Sequence, residues 1–426
     1  MNKLQQFYYS KEKTLLWNLA LLVFIAILVF HGTYIRIRPM GDIPELDWVV
    51  LARLMTCSLG FVIGVIMILK SHPRFGFGSI VLLLFVLATG ISAINSPYHT
   101  IVIGHVVLLL GGSILIIGLV YSAPDIKRLE QIERIWFYTI ALCVIKDAIT
   151  SFIFPEPEAG SDILRLGMGI THANIISLLA GLVFLLSFKQ TKANKVMWLL
   201  RVAMLVVIMG AIGRITILAF TCAGFIYLFL RMDHYYKKLI FVFASLSMIV
   251  FLLLAVSLNE RVGEPVINYL KRGQSNYELT SFTGRTLIWK QALSQVPEAP
   301  FTGHGYGVTQ FTLKPITWDY QASHCHNEII EALFSIGILG TIPLLCMILY
   351  NMKWLVFFSR LRRTFSSDIA LHGACVFVML LIAIMFAARI SVRLLPEHFL
   401  FFFYLLMLDR EKLFAFQEKL NFSTTL

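Results

Sequence analysis

Residues 323–345 read SHCHNEIIEALFSIGILGTIPLL. Two histidines, His324 and His326, and two carboxylates, Glu328 and Glu331, stand at the mouth of an apolar helix. A neutral imidazole takes a proton from a hydroxyl, so the cluster suits general-base chemistry. Asn327 is placed to cap the helix, and the glutamates of its first turn suit the positive end of the helix dipole. The plainer reading is a capped helix with interfacial histidines, and the residues alone leave both open. Gly337, Gly340 and Thr341 then offer a small-residue face on which another helix can approach. His304 lies upstream, and histidines two apart suggest zinc, but no further Cys or Asp cluster closes a tetrahedral set. No metal and no cofactor are expected.

Two cations complete the set of residues suited to chemistry. The stretch VVIMGAIGRITILAF places Arg214 in a tight turn between two apolar runs. An ionisable group at membrane depth faces a cavity or a partner, unless it snorkels to the headgroups. Arg285, in TGRTLIWK, lies on a separate stretch of helical periodicity. Guanidinium forks match phosphate oxygens, so the two arginines with a histidine form an anchor for a lipid-linked diphosphate. GHGYG, Gly303 to Gly307, lacks the strand and helix that a nucleotide fingerprint needs and is read as a turn closing over the site. Lys146 and Asp147 sit deep in an apolar run, as a packing contact or a proton relay. His105, His172 and His372 are read as packing residues.

These residues need elements to hold them, and composition says which. Of 426 residues, 58% are hydrophobic and 14% charged, with a mean hydropathy of +0.79. Soluble domains are nearer half apolar and a quarter charged. Apolar runs long enough for a hydrocarbon core of roughly 30 Å recur throughout. Twelve spans are predicted: 14–30, 49–69, 77–94, 101–121, 135–154, 170–188, 196–212, 215–230, 239–258, 328–350, 369–388 and 399–408, the last starting within RLLPEHF. The first lacks a small-residue cleavage site and is read as an uncleaved span. The chain is thus expected to be an all-α polytopic membrane protein. It divides into spans one to nine (1–258), one long loop (259–326), and spans ten to twelve with a tail (327–426). The loop carries apolar residues at helical spacing, Leu287, Ile288, Leu293 and Val296, and should hold one or two amphipathic helices on the membrane face.

Orientation follows from the basic residues. With the N-terminus inside, the inner loops and termini hold 21 Lys and Arg; the outer loops hold 12, six of them in the long loop, and three lie within spans. The count without the long loop is 21 to 6, which puts both termini in the cytoplasm. The net charge of +12 belongs to loops facing an anionic leaflet and implies membrane lipids as partners, with no nucleic acid. Five of six cysteines fall in spans and only Cys325 lies outside, which is no disulfide framework.

HNEIIEALFSIGILG fits H-N, nine residues, G-x-x-G, as His326, Asn327, Gly337 and Gly340. This resembles the signature of the O-antigen ligase family, within the wider ligase and polymerase superfamily. Arg285 with IWKQAL, Pro300 and GHGYG looks like that superfamily's external loop, and Arg214 matches its arginine just before a span. Gly213 stands where the family often has Ser or Thr. The resemblance implies a GT-C-like fold of about twelve spans with a periplasmic loop. It implies transfer of a glycan from undecaprenyl diphosphate to a hydroxyl of lipid A-core, at the periplasmic face of the bacterial inner membrane. By the same resemblance His326 is the general base and Arg214 and Arg285 bind the diphosphate, with His324, Asn327, Glu331, Gly337 and Gly340 in support. A polymerase would use another lipid-linked repeat as acceptor. Twelve spans also suit a secondary transporter, although the halves show no repeat and no paired broken helices.

Overall fold

Long apolar runs leave the backbone one way to satisfy its hydrogen bonds in lipid, and the chain takes it: the described residues form helices and no strands. The computed structural model describes residues 3–32, 47–154, 173–189, 195–211, 213–232, 285–315, 322–355 and 367–410, together with Leu166, Lys237 and Val242. In chain order the helices are α1 (Lys3–Gly32), α2 (Trp48–Ser71), α3 (Phe77–Ile91), α4 (His99–Ser122) and α5 (Ile126–Ile153). Next come α6 (Ala173–Leu186), α7 (Lys195–Gly210), α8 (Arg214–Arg231), α9 (Arg285–Gln295) and α10 (Thr309–Thr312). Last are α11 (Glu328–Asn351), α12 (Ser367–Phe386) and α13 (Pro396–Asp409).

Eleven of the twelve predicted spans coincide with helices, and the ninth, 239–258, falls outside the described residues but for Val242. Among the described residues six helical stretches are long and apolar enough to cross a membrane: Thr14–Gly32, Trp48–Ser71, His99–Ser122, Ile126–Ile153, Arg214–Arg231 and Glu328–Leu355. The protein is a membrane-embedded, multi-pass helical bundle. Its outer surface carries Leu15, Met55, Leu142 and Leu349, all more than half exposed, as a lipid-facing surface requires.

The last span was expected to be short, and the reason is its position. Every residue of α13 from Pro396 to Leu408 is buried, so PEHFLFFFYLLML is apolar all round because it is the middle of the bundle. Close packing around it uses small residues. A Cβ on Gly111 would lie 2.2 Å from the Cys57 carbonyl oxygen, and one on Gly64 2.5 Å from that of Ile114, so α2 and α4 meet backbone to backbone.

At one end of the bundle Asp409 gathers α3, α4 and α11. Its carboxylate accepts from Gly78 N and Ser79 N, both at 2.8 Å, from Tyr121 Oη at 2.9 Å and from Tyr350 Oη at 3.1 Å. Nearby, Glu133 of α5 accepts from Lys189 and Tyr404. The opposite end carries the histidines.

The amphipathic helix of the long loop exists as α9, but its faces are not divided as expected. Ile288, Ala292 and Gln295, at i, i+4 and i+7, turn inward, and Leu287 and Leu293 remain exposed. The inner face packs with Leu313, Ala322, Cys325 and Phe334 into a small core of its own beside the start of α11.

Candidate functional site

The site grows from the first turn of α11. Asn327 caps it as expected, its Oδ1 accepting from Ile329 N and Ile330 N. Its Nδ2 reaches across to the carbonyl of Met385 on α12. Glu331 does more than suit the dipole. Buried completely, it accepts from Cys325 N at 2.6 Å and from the Thr309 hydroxyl, which ties the histidine loop to α10. From α9, Trp289 Nε1 donates to the Cys325 carbonyl at 2.8 Å. The loop is thus pinned from two sides, and the histidines on either side of Cys325 are presented by a fixed backbone.

His326 takes a left-handed backbone, φ 52°. Few non-glycine residues do so, and such geometry collects at functional sites. The turn sets the His326 ring edge-to-face against His324, centroids 4.0 Å apart. Burial pushes the His324 imidazole down to about 4, with the charges of Arg389, Arg393 and Arg285 pressing the same way. His324 is therefore neutral at ordinary pH, and its Nδ1 is shut away without a hydrogen-bond partner. Arg285 opens α9 one turn before Trp289, which brings its charge to the histidine pair.

Gly337 and Gly340 were expected to form a packing face. Gly337 does something else: at φ 61°, ψ −167° it breaks α11 in two. The segment after α9 enters the break. His304 N and Gly305 N donate to the carbonyls of Phe334 and Ser335, closing the first half-helix. Ile338 N and Leu339 N donate to the carbonyls of Pro300 and Phe301, opening the second. All four bonds satisfy helix-end groups that would otherwise be orphaned in an apolar setting. Side chains are excluded on both sides, since a Cβ on Gly303 or Gly337 would come within 2.4 Å of the facing backbone. GHGYG is therefore built into the helix. At Gly340 a Cβ would collide with Ile336 of its own helix, so its smallness serves the same break. His304 is drawn away from the other histidines, its ring stacked on Phe334 and Nε2 at 3.1 Å from the Gln295 carbonyl.

Glu328 was expected only to suit the helix dipole. It is 1% exposed and clamps the segment between α12 and α13. Oε2 meets Arg389 N at 2.5 Å and Ile390 N at 2.9 Å, while Oε1 takes Ser391 N and Ser391 Oγ, both at 2.6 Å. Tyr306 of the GHGYG turn adds a bond to the Ile390 carbonyl at 3.2 Å. This strap, residues 387–395, carries Arg389 and Arg393. The Arg389 guanidinium lies 3.5 Å from Glu397 and donates to the Asn174 carbonyl on α6. Sequence reasoning missed both arginines, although two cations in five residues before Pro-Glu-His, between two apolar runs, were a signal.

Arg214 begins α8 on the other side of Asn174. Ser177 Oγ bonds to Thr216 Oγ1 at 3.0 Å and to the Asn174 carbonyl at 3.3 Å. A Cβ on Gly213 would sit 2.7 Å from that same Ser177 Oγ. Ser177 Oγ thus occupies the space that a side chain at position 213 would need. Asn174 thus links the turn bearing Arg214 to Arg389. Lys146 and Asp147 stand apart, bonded to each other at 2.8 Å on α5 with Lys146 half exposed. Of the lone histidines, His372 packs against Tyr227, His105 faces Tyr306, and His172 lies outside the described residues. All six cysteines are free.

Residues 199–345 match the family model described as O-antigen ligase. Over 98 residues the chain is 35% identical to the exopolysaccharide production protein ExoQ of Rhizobium meliloti (strain 1021), an alignment covering 21% of each chain. The chain therefore spans about a fifth of that relative's length in what it matches. Arg214, Arg285, the histidine pair and Glu328 all lie inside the matched stretch; the strap with Arg389 and Arg393 lies beyond it. Residues 199–345 of this chain are an O-antigen ligase family domain.

Proposed function

We propose that this protein is an O-antigen ligase. In this reading it transfers a polysaccharide from undecaprenyl diphosphate to a sugar hydroxyl of lipid A-core. It would sit in the bacterial inner membrane with both termini cytoplasmic and the histidine end periplasmic. The 21-to-6 distribution of basic residues supports that orientation. The observation that carries the activity is the histidine pair, held by Glu331 and Trp289 and reached by the charge of Arg285, all within the family domain.

His326 takes the proton of the acceptor hydroxyl, and that oxygen forms a bond to the donor's anomeric carbon. The bond from that carbon to the diphosphate oxygen breaks, and polyprenyl diphosphate leaves with the electron pair. Arg214 and Arg285 hold the diphosphate and stabilise the charge that grows on it, so the neutralising role falls to guanidinium groups. His324, kept neutral, orients its neighbour without adding a competing charge. Asn327 and Glu331 fix the loop, and Gly337 and Gly340 permit the broken helix that seats GHGYG.

A surface-polysaccharide polymerase of the same superfamily is the second reading. One gel separates them. In the source strain lacking this protein, the ligase reading expects lipopolysaccharide reduced to bare core while lipid-linked polymer accumulates. Core carrying a single repeat indicates the polymerase, and an unchanged ladder removes both O-antigen roles.

A further inference from the structure

The histidine end of the bundle holds a second gathering of polar groups that the transfer chemistry does not use. Its members come from parts of the chain far apart in sequence. His31 ends α1, Arg53 lies in the second turn of α2, His105 in the second turn of α4, and His398 in the first turn of α13. Arg393 is on the strap. Their convergence is fixed by contacts. Arg53 Nε donates to the Phe30 carbonyl at 2.8 Å, which sets the guanidinium beside His31. A Cβ on Gly32 would lie 3.4 Å from Pro396, so the end of α1 abuts the start of α13. A Cβ on Gly307 would lie 2.7 Å from both the His105 ring and the Val392 carbonyl, so His105 adjoins the peptide leading into Arg393. Arg53 and Arg393 are electrostatic neighbours of both His31 and His105.

Two nitrogens in this gathering point to a ligand. His31 is tied through Nδ1 to the Ile27 carbonyl at 2.9 Å, which makes Nδ1 the donor and leaves Nε2 an acceptor. His398 Nδ1 lies 2.8 Å from Leu395 N and 3.0 Å from the Leu395 carbonyl, and in the tautomer that accepts from the N–H the Nε2–H is a donor. Both side chains are at least nine-tenths buried, and both Nε2 atoms lack a hydrogen-bond partner. A buried polar atom left unmet costs free energy unless a ligand meets it. One acceptor, one donor and two guanidinium groups, the latter half-buried, are the complement of a singly protonated phosphate. The two arginines supply charge, His398 donates to an oxyanion oxygen, and His31 accepts from P–OH.

We infer that His31, Arg53, His105, Arg393 and His398 form a second oxyanion site, which binds a phosphate group of a lipid-linked substrate or product. That the ligand is a transfer substrate or product rests on the function proposed above; the site itself does not. The P–OH requires a terminal phosphate, which is either that of the polyprenyl diphosphate released by transfer or a phosphate monoester of the acceptor glycolipid.

The test uses the full chain in lipid nanodiscs and two ligands, a polyprenyl diphosphate and a phosphorylated glucosamine lipid, with retention read by native mass spectrometry. Arg53→Gln and Arg393→Gln are compared with the wild type, and thermal unfolding checks that each is folded. Arg393 is half-buried on the strap and lies outside any helix, so its variant carries the test if Arg53→Gln unfolds. The expected result is about a tenfold weaker hold on one ligand, the loss of a charge-assisted phosphate contact, partly restored by Arg393→Lys. Weakening for the diphosphate assigns the site to the leaving polyprenyl diphosphate, and weakening for the glycolipid assigns it to the acceptor. Unchanged retention of both ligands in a folded Arg393→Gln overturns the site. A wild type that transfers no glycan but binds phosphate through these arginines keeps the site and removes the transfer reading.

Discussion

The two ends of the bundle are built on the same device and differ in what they leave unfinished. At one end Asp409 accepts four hydrogen bonds from three helices, and at the other Glu328 accepts four from a single strap. Toward the Asp409 end the buried charges Glu133 and Arg201 are met, Glu133 by Lys189 and Tyr404 and Arg201 by the Ser187 hydroxyl and carbonyl. Around Glu328 buried polar groups are left unmet. His31 Nε2, His324 Nδ1, Ser335 Oγ, Arg389 Nε, Glu397 Oε2 and His398 Nε2 are all buried without a hydrogen-bond partner. Native interiors leave few such atoms, and each lowers stability unless something else uses it. The Asp409 end therefore reads as a fastening and the Glu328 end as a place where substrate completes the hydrogen bonding.

The largest effect that comparison predicts concerns the two left-handed histidines, one at each end: His326 at φ 52° and His72 at φ 43°. Glycine accepts either backbone without strain, so His326→Gly removes the imidazole and keeps the turn. Glycan transfer in that variant should fall by about 10²- to 10⁴-fold, the contribution of a general base, with the unfolding midpoint held. Transfer within a fewfold of wild type, measured on membranes with equal protein, would remove His326 as the base.

The carboxylate pair comes next. Asp409→Asn puts an NH₂ where a carboxylate oxygen accepted, and it should lower stability by about 1–3 kcal/mol with transfer per folded molecule unchanged. Glu328→Gln should destabilise similarly and also release the strap bearing Arg389 and Arg393. A displacement of that kind near reacting groups costs about 10²-fold in rate. Equal losses of transfer per folded molecule in both variants would erase the distinction between the ends.

That distinction was only partly legible in the sequence. Helices were, because runs such as LWNLALLVFIAILVF carry their own signal, and even α13 showed itself as short. The Asn327 cap was legible because it sits within a few residues of the helix it serves. Glu328 was seen but misjudged, since its partners are 61 to 63 residues away and no periodicity links them. Gly337 and Gly340 looked like a packing face because G-x-x-G has two uses, and only the backbone of Pro300 to Gly305 decides between them. The Arg53 and His31 gathering is assembled from four helix ends and a strap, and such convergence is a property of the fold.

A smaller effect is expected in pH. The folded His324 titrates at about 4 because burial and three arginines disfavour its charged form, whereas an unfolded histidine titrates near 6.5. Between those values the unfolded chain binds more protons, so stability falls as pH drops from about 6.5 to 4 and levels off below. His324→Asn should show a shallower fall over that window, measured by thermal unfolding from pH 7 to pH 4. An identical slope would mean that His324 is charged in the folded protein.

The smallest effect lies at the other end. His72 ends α2 in the left-handed conformation, its N–H bonded to the Ile68 carbonyl at 3.0 Å, with its side chain exposed. Left-handed geometry costs an ordinary residue about 1–2 kcal/mol, and glycine is the usual occupant of such a helix end. Against that gain, glycine makes the unfolded chain more mobile, at about 0.4–1 kcal/mol. His72→Gly should therefore stabilise by roughly 0.5 kcal/mol, the difference between these two terms, with transfer unchanged. A gain in the unfolding midpoint with full activity marks this strain as incidental. If transfer falls in His72→Gly, the end that holds Asp409 is coupled to the site, and the separation between fastening and function fails.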